Sequence, residues 1–190
     1  NQSSLYEVIA LEPTIKTKCF NFNNSNILAS FLEPADIVLV AVPGHLGYNL
    51  LKTIIGLKKN IVDISFSSEN LLSLDKMAKQ NGVTVVFDAG LAPGIPNFLL
   101  GNINSKEKIK KFKYFVGGLP KNPILPYNYK APFSPIDVVE EYTRPARIME
   151  NSKVIIKPAL TDIEQKYYSN TGMLEGFNTD GLRSILITMK

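Results

Sequence analysis

A chain of 190 residues, 45% apolar and 20% charged, has the composition of an ordinary soluble globular protein, sized for one large domain or parts of two. Its net charge of +4 is carried by scattered or briefly grouped lysines. The group from Lys106 to Lys113 therefore reads as a solvated helix face, and nucleic acid is not an expected partner. One cysteine, Cys19, excludes an internal disulfide and reads as a buried thiol in a reducing compartment. No apolar run reaches the ~18 residues of a membrane span, and the polar start Asn1–Gln2–Ser3–Ser4 is no signal peptide. A cytoplasmic protein with no membrane partner and no metal site is the expectation.

In chain order, Ile15–Phe22 reads as a strand, and Asn24 or Ser25 as the N-cap of a helix through Ile27, Leu28, Phe31 and Leu32. After the break at Pro34–Ala35–Asp36, the continuous apolar run Ile37–Val42 has the pattern of a parallel strand buried on both faces. His45 to Lys58 carries a helical stripe of leucines and isoleucines. Asn60–Ile64 is a second short strand. Ser67 or Ser68 would cap a helix running through Leu71, Leu74, Met77 and Ala78, which Gly82 would stop. Val83–Phe87 is a third strand. Strands alternating with helices argue for βαβ units in a doubly wound parallel sheet.

After Gly101 the pattern changes. Prolines crowd the stretch from Leu119 to Pro135 and break any long helix. Arg147–Met149 and Val154–Lys157 flank a hairpin turn at Glu150–Asn151–Ser152, and a last helix should follow Asn178–Thr179–Asp180. The chain thus reads as α/β: an incomplete Rossmann-type parallel sheet over residues 1–103, followed by a partial α+β substrate and dimerisation domain over residues 104–190.

In an open α/β sheet, ligands sit beyond the carboxyl ends of the strands. Three such ends are Val42–Pro43–Gly44, Asp63–Ile64–Ser65 and Asp88–Ala89–Gly90, each with small or turn-forming residues that let backbone approach a flat ligand. No Gly-x-Gly-x-x-Gly or Walker-type loop occurs among the 190 residues, so the chain either binds no dinucleotide or lacks its first strand, helix and second strand. The polar start favours truncation.

The stretches Val62–Phe66, Leu74–Lys79, Phe87–Gly94 and Val116–Pro120 resemble the saccharopine dehydrogenase family; the last would be a strand leading out of the nucleotide domain. Glu141–Arg147 and Leu174–Arg183 resemble its lysine 6-dehydrogenase branch. The similarity runs from about Ile15 to the end, and the family's greater length implies that this is an internal portion. Two departures bear on substrate. Saccharopine reductases carry a Leu-Asp-Pro-Gly-Ile-Asp-His type stretch where this chain has Leu91–Asn97. They also place an arginine for a substrate carboxylate after a Ser-Pro pair, where this chain has Ile136. Losing that bidentate partner disfavours a tricarboxylate and favours lysine.

The resemblance implies an NAD-dependent amino-acid dehydrogenase, with NADP as the other candidate cofactor, a small-molecule amino-acid substrate and a homo-oligomeric assembly. By the same analogy Val42, Pro43, Ile64, Ser65 and Gly90 would line the nicotinamide and ribose, while Pro93–Gly94 would open a helix whose N-terminus faces an anion. Arg144, with its planar fork, is the candidate for the α-carboxylate, and Arg183 is the reserve. Tyr142 would orient substrate, and Asp180 with Asn178 and Thr179 would reach the amines. Asp180 reads equally well as a helix N-cap, Asp88 as a strand-end cap, and His45 as helix-start surface. The alternatives are a saccharopine or carboxylated-polyamine dehydrogenase, or a non-catalytic module that kept the fold.

Overall fold

The structure is a computed structural model that describes residues 2–189. Its centre is a three-stranded parallel sheet in the order β1 (Ile37–Val40), β2 (Asn60–Asp63), β3 (Val85–Val86). Val38 lies beside Ile61 and Ile61 beside Val85, so these residues share one face of the sheet. Helix α3 (Gly44–Gly56) connects β1 to β2; a single 3₁₀ turn (Leu71–Leu74) and α4 (Asp75–Asn81) connect β2 to β3.

The core forms on that shared face. Leu51 and Ile55 of α3 are 0% exposed and cluster with Val40, Ile61, Leu74 and Ala78. Leu28 and Leu32 of α2 (Ser25–Leu32) join the same cluster. Helix α2 begins where it does because the Asn24 side chain accepts the Ile27 amide, which settles the N-cap on Asn24 rather than Ser25. The opposite face of the sheet is open: Ile37 and Leu39 are 60% and 64% exposed. An apolar run without alternation implied burial on both faces, but every helix in the cluster packs on the same side.

Other expectations also change. Residues 15–22 form no strand, and Cys19 is exposed, because no neighbouring strand pairs with that segment. A helix not foreseen, α1 (Gln2–Leu11), precedes it and buries no residue. Ser67 and Ser68 cap nothing; Asn70 accepts the Leu72 amide at the 3₁₀ turn, and Gly82 ends α4 in the left-handed conformation, φ 66°. Lys106–Lys113 lies on no helix, and Val116–Pro120 forms no strand.

Beyond α5 (Ile95–Asn104) the chain runs without helix or strand to α6 (Pro135–Thr143). Two antiparallel hairpins follow, β4 (Ala146–Glu150) with β5 (Lys153–Lys157), and β6 (Glu164–Tyr168) with β7 (Gly172–Gly176). The first turns at Asn151 and Ser152, both at positive φ (49° and 59°), the conformation that matches the twist of a two-residue hairpin. The second hairpin and the shortness of the final helix α7 (Ile185–Thr188) were not legible in the sequence. Among the described residues, no helix is long and apolar enough to cross a membrane.

Candidate functional site

All three parallel strands present their carboxyl ends to one edge of the sheet, and the site is built there. At the end of β2, Asp63 is 0% exposed; its Oδ1 accepts both the Ser65 amide (3.1 Å) and the Ser65 hydroxyl (2.5 Å), which curls the loop back on itself. Its other oxygen is buried without a hydrogen-bond partner among the described residues. Burial, and then the charge of Asp88, hold the Asp63 carboxyl above the usual carboxylate range despite the Ser65 bonds. The loop packs directly on α3. A β-carbon at Gly47 would lie 2.3 Å from the hydroxyls of both Ser65 and Ser67, and one at Gly44 would lie 2.2 Å from the Phe66 carbonyl oxygen. Only glycine permits this approach.

Helix α6 crosses that edge and binds it at two points. Its Asp137 carboxylate accepts the Gly44 amide at 3.1 and 3.3 Å, filling the N-terminus of α3 with a carboxylate from the chain itself. One turn past Glu140, Arg144 ion-pairs with that glutamate and reaches the Phe66 carbonyl at 3.5 Å. The Arg144 guanidinium sits over the Phe66 ring at 4.3 Å, and Arg183 approaches the same ring at 5.1 Å.

Arg183, at φ 40° and with a side chain only 5% exposed, faces Asp88 at 3.2 Å. The angle there makes an ion pair without a hydrogen bond, so Arg183 Nε and Nη1, like Arg144 Nη1, are buried donors with no hydrogen-bond acceptor among the described residues. Burial is the main influence on Arg183 and pulls its pKa below the usual arginine value; the Asp88 and Asp180 charges oppose it. Asp88 also accepts the Ser184 amide at 3.2 Å. Beside it, Tyr114 donates to the Gly181 carbonyl at 3.0 Å, and burial followed by the Asp88 charge pushes its phenol up to about 12.

The structure distributes the sequence candidates unevenly. Arg144 and Arg183 come together on Phe66. Asp180 is buried, but its oxygens receive the Arg147 amide (3.1 Å), Nε (2.8 Å) and Nη2 (2.6 Å), so it caps no helix and is committed to Arg147. That hydrogen bonding holds the Arg147 guanidinium above its usual pKa. Asn178 donates to Asp162 at 2.7 Å, turning its amide to a separate cluster with Lys157, and the Thr179 carbonyl accepts the Gly181 amide. Tyr142 stacks on Phe177 with ring centroids 5.3 Å apart. His45 is exposed at the start of α3.

On the strand-end side, Val42 packs against the core, Pro43 precedes α3, Ile64 is 43% exposed and Ser65 is 4% exposed. The Gly90 carbonyl accepts the Ile95 amide (3.0 Å), and Gly94, at φ 152°, lies so close that a β-carbon there would fall 1.8 Å from the Gly90 oxygen. The Pro93–Gly94 helix start therefore exists, but its first amide is taken by Gly90. Sequence reasoning placed Asp63 in a strand-end turn and Phe66 and Arg147 within family motifs without assigning them a role, and it missed Asp137, which no local signal marks.

A dinucleotide fits these residues in part. The exposed Ile64 lies beside Gly90 at the sheet edge, an apolar surface that would take a flat ring. The helix N-termini that would hold a pyrophosphate are filled from within, α3 by Asp137 and α5 by Gly90. Ile64 and Gly90 would meet the ring of such a group, and both helix starts at this edge are occupied by groups of the chain itself.

Comparison with known proteins agrees with this architecture. An apo saccharopine dehydrogenase (L-Glu forming) from Saccharomyces cerevisiae superposes with a TM-score of 0.64 at 22% identity, covering 92% of this chain and 41% of that one, which shows the shared fold. Alpha-aminoadipic semialdehyde synthase of Arabidopsis thaliana is 30% identical over 70% of this chain and 13% of its own length. Saccharopine dehydrogenase [NADP(+), L-glutamate-forming] of Pyricularia oryzae is 28% identical over 79% of this chain and 35% of its own length. The chain thus spans well under half of these relatives. The family described as Saccharopine dehydrogenase C-terminal domain matches residues 90–187, from the loop after β3 to α7. With more than half its residues inside that match, this chain belongs to the saccharopine dehydrogenase C-terminal domain family.

Proposed function

We propose that this chain is part of an amino-acid oxidoreductase that oxidises a carbon–nitrogen bond of a carboxylate-bearing substrate, using NADP or NAD as the hydride acceptor. One observation carries the reading: Arg144 and Arg183 crowd a single aromatic ring, and beyond their ion pairs with Glu140 and Asp88 they keep buried guanidinium donors with no hydrogen-bond acceptor among the described residues. Buried donors of that kind are costly unless an anion meets them, and a planar carboxylate is the anion that matches their fork. The pair lies at the carboxyl edge of the parallel sheet, where Ile64 and Gly90 would meet the nicotinamide ring. When bound, the dinucleotide supplies the hydride acceptor; the chain's own groups bind, orient and exclude water.

The relatives' names support saccharopine as the substrate. Lysine is favoured by a separate observation. The position after Ser134–Pro135, where an arginine would grip a further carboxylate, is the apolar, 57% exposed Ile136. The test is the complete protein containing this chain, assayed with saccharopine, lysine and a carboxylated polyamine against NAD and NADP. Reduction of either cofactor by one of these amines is the expected result. No reduction with any pair would overturn the reading and favour a non-catalytic module.

A further inference from the structure

Besides its burial, Arg183 feels the charges of Asp88, Asp180, Arg144 and Arg147, so three guanidiniums belong to one cluster. Each is matched by one carboxylate of the chain: Arg144 by Glu140, Arg147 by Asp180, and Arg183 by Asp88. With the charges paired one to one, no cation is spare for an incoming anion. Binding a carboxylate therefore requires one of the three internal carboxylates to give way.

The three are held with different firmness. The Asp180 side chain is 3% exposed and accepts three hydrogen bonds from Arg147. That of Asp88 is 1% exposed and also holds the Ser184 amide. Glu140 is 39% exposed on α6, and among the described residues its carboxylate is bonded to Arg144 Nη2 alone. An acid at that exposure can turn into water at little cost. Its departure frees Nη2 beside Nη1, the buried Arg144 nitrogen that has no hydrogen-bond acceptor among the described residues. Nη1 and Nη2 together are the end-on fork that grips both oxygens of a planar carboxylate.

We propose that Glu140 occupies Arg144 in place of the substrate carboxylate and is displaced when the substrate binds, an inference that rests on the carboxylate clamp of the dehydrogenase reading. Glu140 then sets the affinity of the site and the ligands that enter it. A neutral ligand cannot replace it, because Arg144 would be left buried and unpaired. A carboxylate exchanges one ion pair for another of equal charge, so its net gain comes from the fork geometry and from contacts made elsewhere on the ligand. Glu140 lies four residues before Arg144 on the same helical turn, so it returns to the guanidinium once the ligand leaves. The empty site thus keeps Arg144 neutralised and in place over Phe66.

The experiment is calorimetric titration of the complete protein with hexanoate, L-lysine and saccharopine. It compares wild type, Glu140→Gln, Glu140→Ala, Arg144→Ala, the double variant Glu140→Gln/Arg144→Ala and the exposed control Glu107→Gln. Both Glu140 variants should bind carboxylate at least threefold more tightly than wild type, whereas loss of a pair that merely orders the site would weaken binding. The gain should vanish in the Arg144→Ala background, and Glu107→Gln should match wild type. In turnover, KM for the amino acid should fall in Glu140→Gln with kcat changed far less. Equal or weaker binding by both Glu140 variants, the same gain with Arg144 absent, or no binding of any of the three ligands by wild type and Glu140→Gln alike overturns the inference. The dehydrogenase reading fails separately, if Glu140-dependent carboxylate binding is seen with no reduction of either cofactor. Cofactor reduction with KM unchanged in both Glu140 variants sinks the exchange and leaves that reading intact.

Discussion

Residues 25–100 and residues 105–183 are held by different forces. In the first region, most of the buried apolar residues among those described gather on one face of a parallel sheet, with Leu51, Ile54, Ile55 and Ile61 essentially out of water. In the second, Val138 and Ala146 are the only buried apolar residues among those described. Its order comes from hairpin ladders, ion pairs such as Arg147–Asp180, and the clasp of α6 on the strand ends. The lesson is a division of labour. The packed layer fixes where the strand ends lie, and the polar layer brings Arg144 and Arg183 to Phe66 just beyond them.

The comparison is tested most severely by deleting packing from each region. Leu51→Ala or Ile55→Ala should cost about 2–5 kcal/mol in chemical denaturation, because a fully buried side chain leaves a cavity behind. A cost below about 1 kcal/mol would show that the sheet layer is not the stability centre. Next in size is Asp180→Ala, which strands the partly buried Arg147 and should cost about 1–3 kcal/mol. If the second region relied on packing instead, that substitution would be nearly neutral.

A smaller effect is expected from Asp63→Asn. The folded protein holds the Asp63 proton more tightly than the unfolded chain, whose carboxyl titrates near 3.8. Stability is therefore lost as pH rises from that value through the raised folded pKa. Asparagine keeps the acceptor for Ser65 and removes the titration, so the variant should be more stable than wild type at neutral pH, with a flatter pH profile. A profile unchanged from wild type would contradict the assignment. Smallest of all, Ile156→Thr on β5, 71% exposed, should shift stability by no more than about 0.5 kcal/mol.

What the sequence disclosed follows the same division. Periodicity located β1, α3, β2 and β3 because their residues answer to one packed face. The Asn151–Ser152 turn was legible because a two-residue hairpin demands unusual backbone angles there. Residues 15–22 misled because β-branched composition implies a strand only when a partner strand exists. The openness of Ile37 and Leu39 was hidden for a related reason: an apolar run does not say which side the helices take. The site was partly readable. Family motifs pointed to Arg144 and Arg183, but their convergence on Phe66, and the commitment of Asp180 to Arg147, depend on contacts across 33 to 117 residues of sequence that no local pattern encodes.

The central claim is that the polar layer presents a carboxylate clamp to the strand ends. Steady-state oxidation of the preferred amino acid by the complete protein, wild type against Arg144→Ala, tests it most directly. The expected result is a KM raised at least tenfold, about 1.4 kcal/mol of lost binding, with kcat changed far less. An unchanged KM would remove Arg144 from the substrate site and contradict the claim.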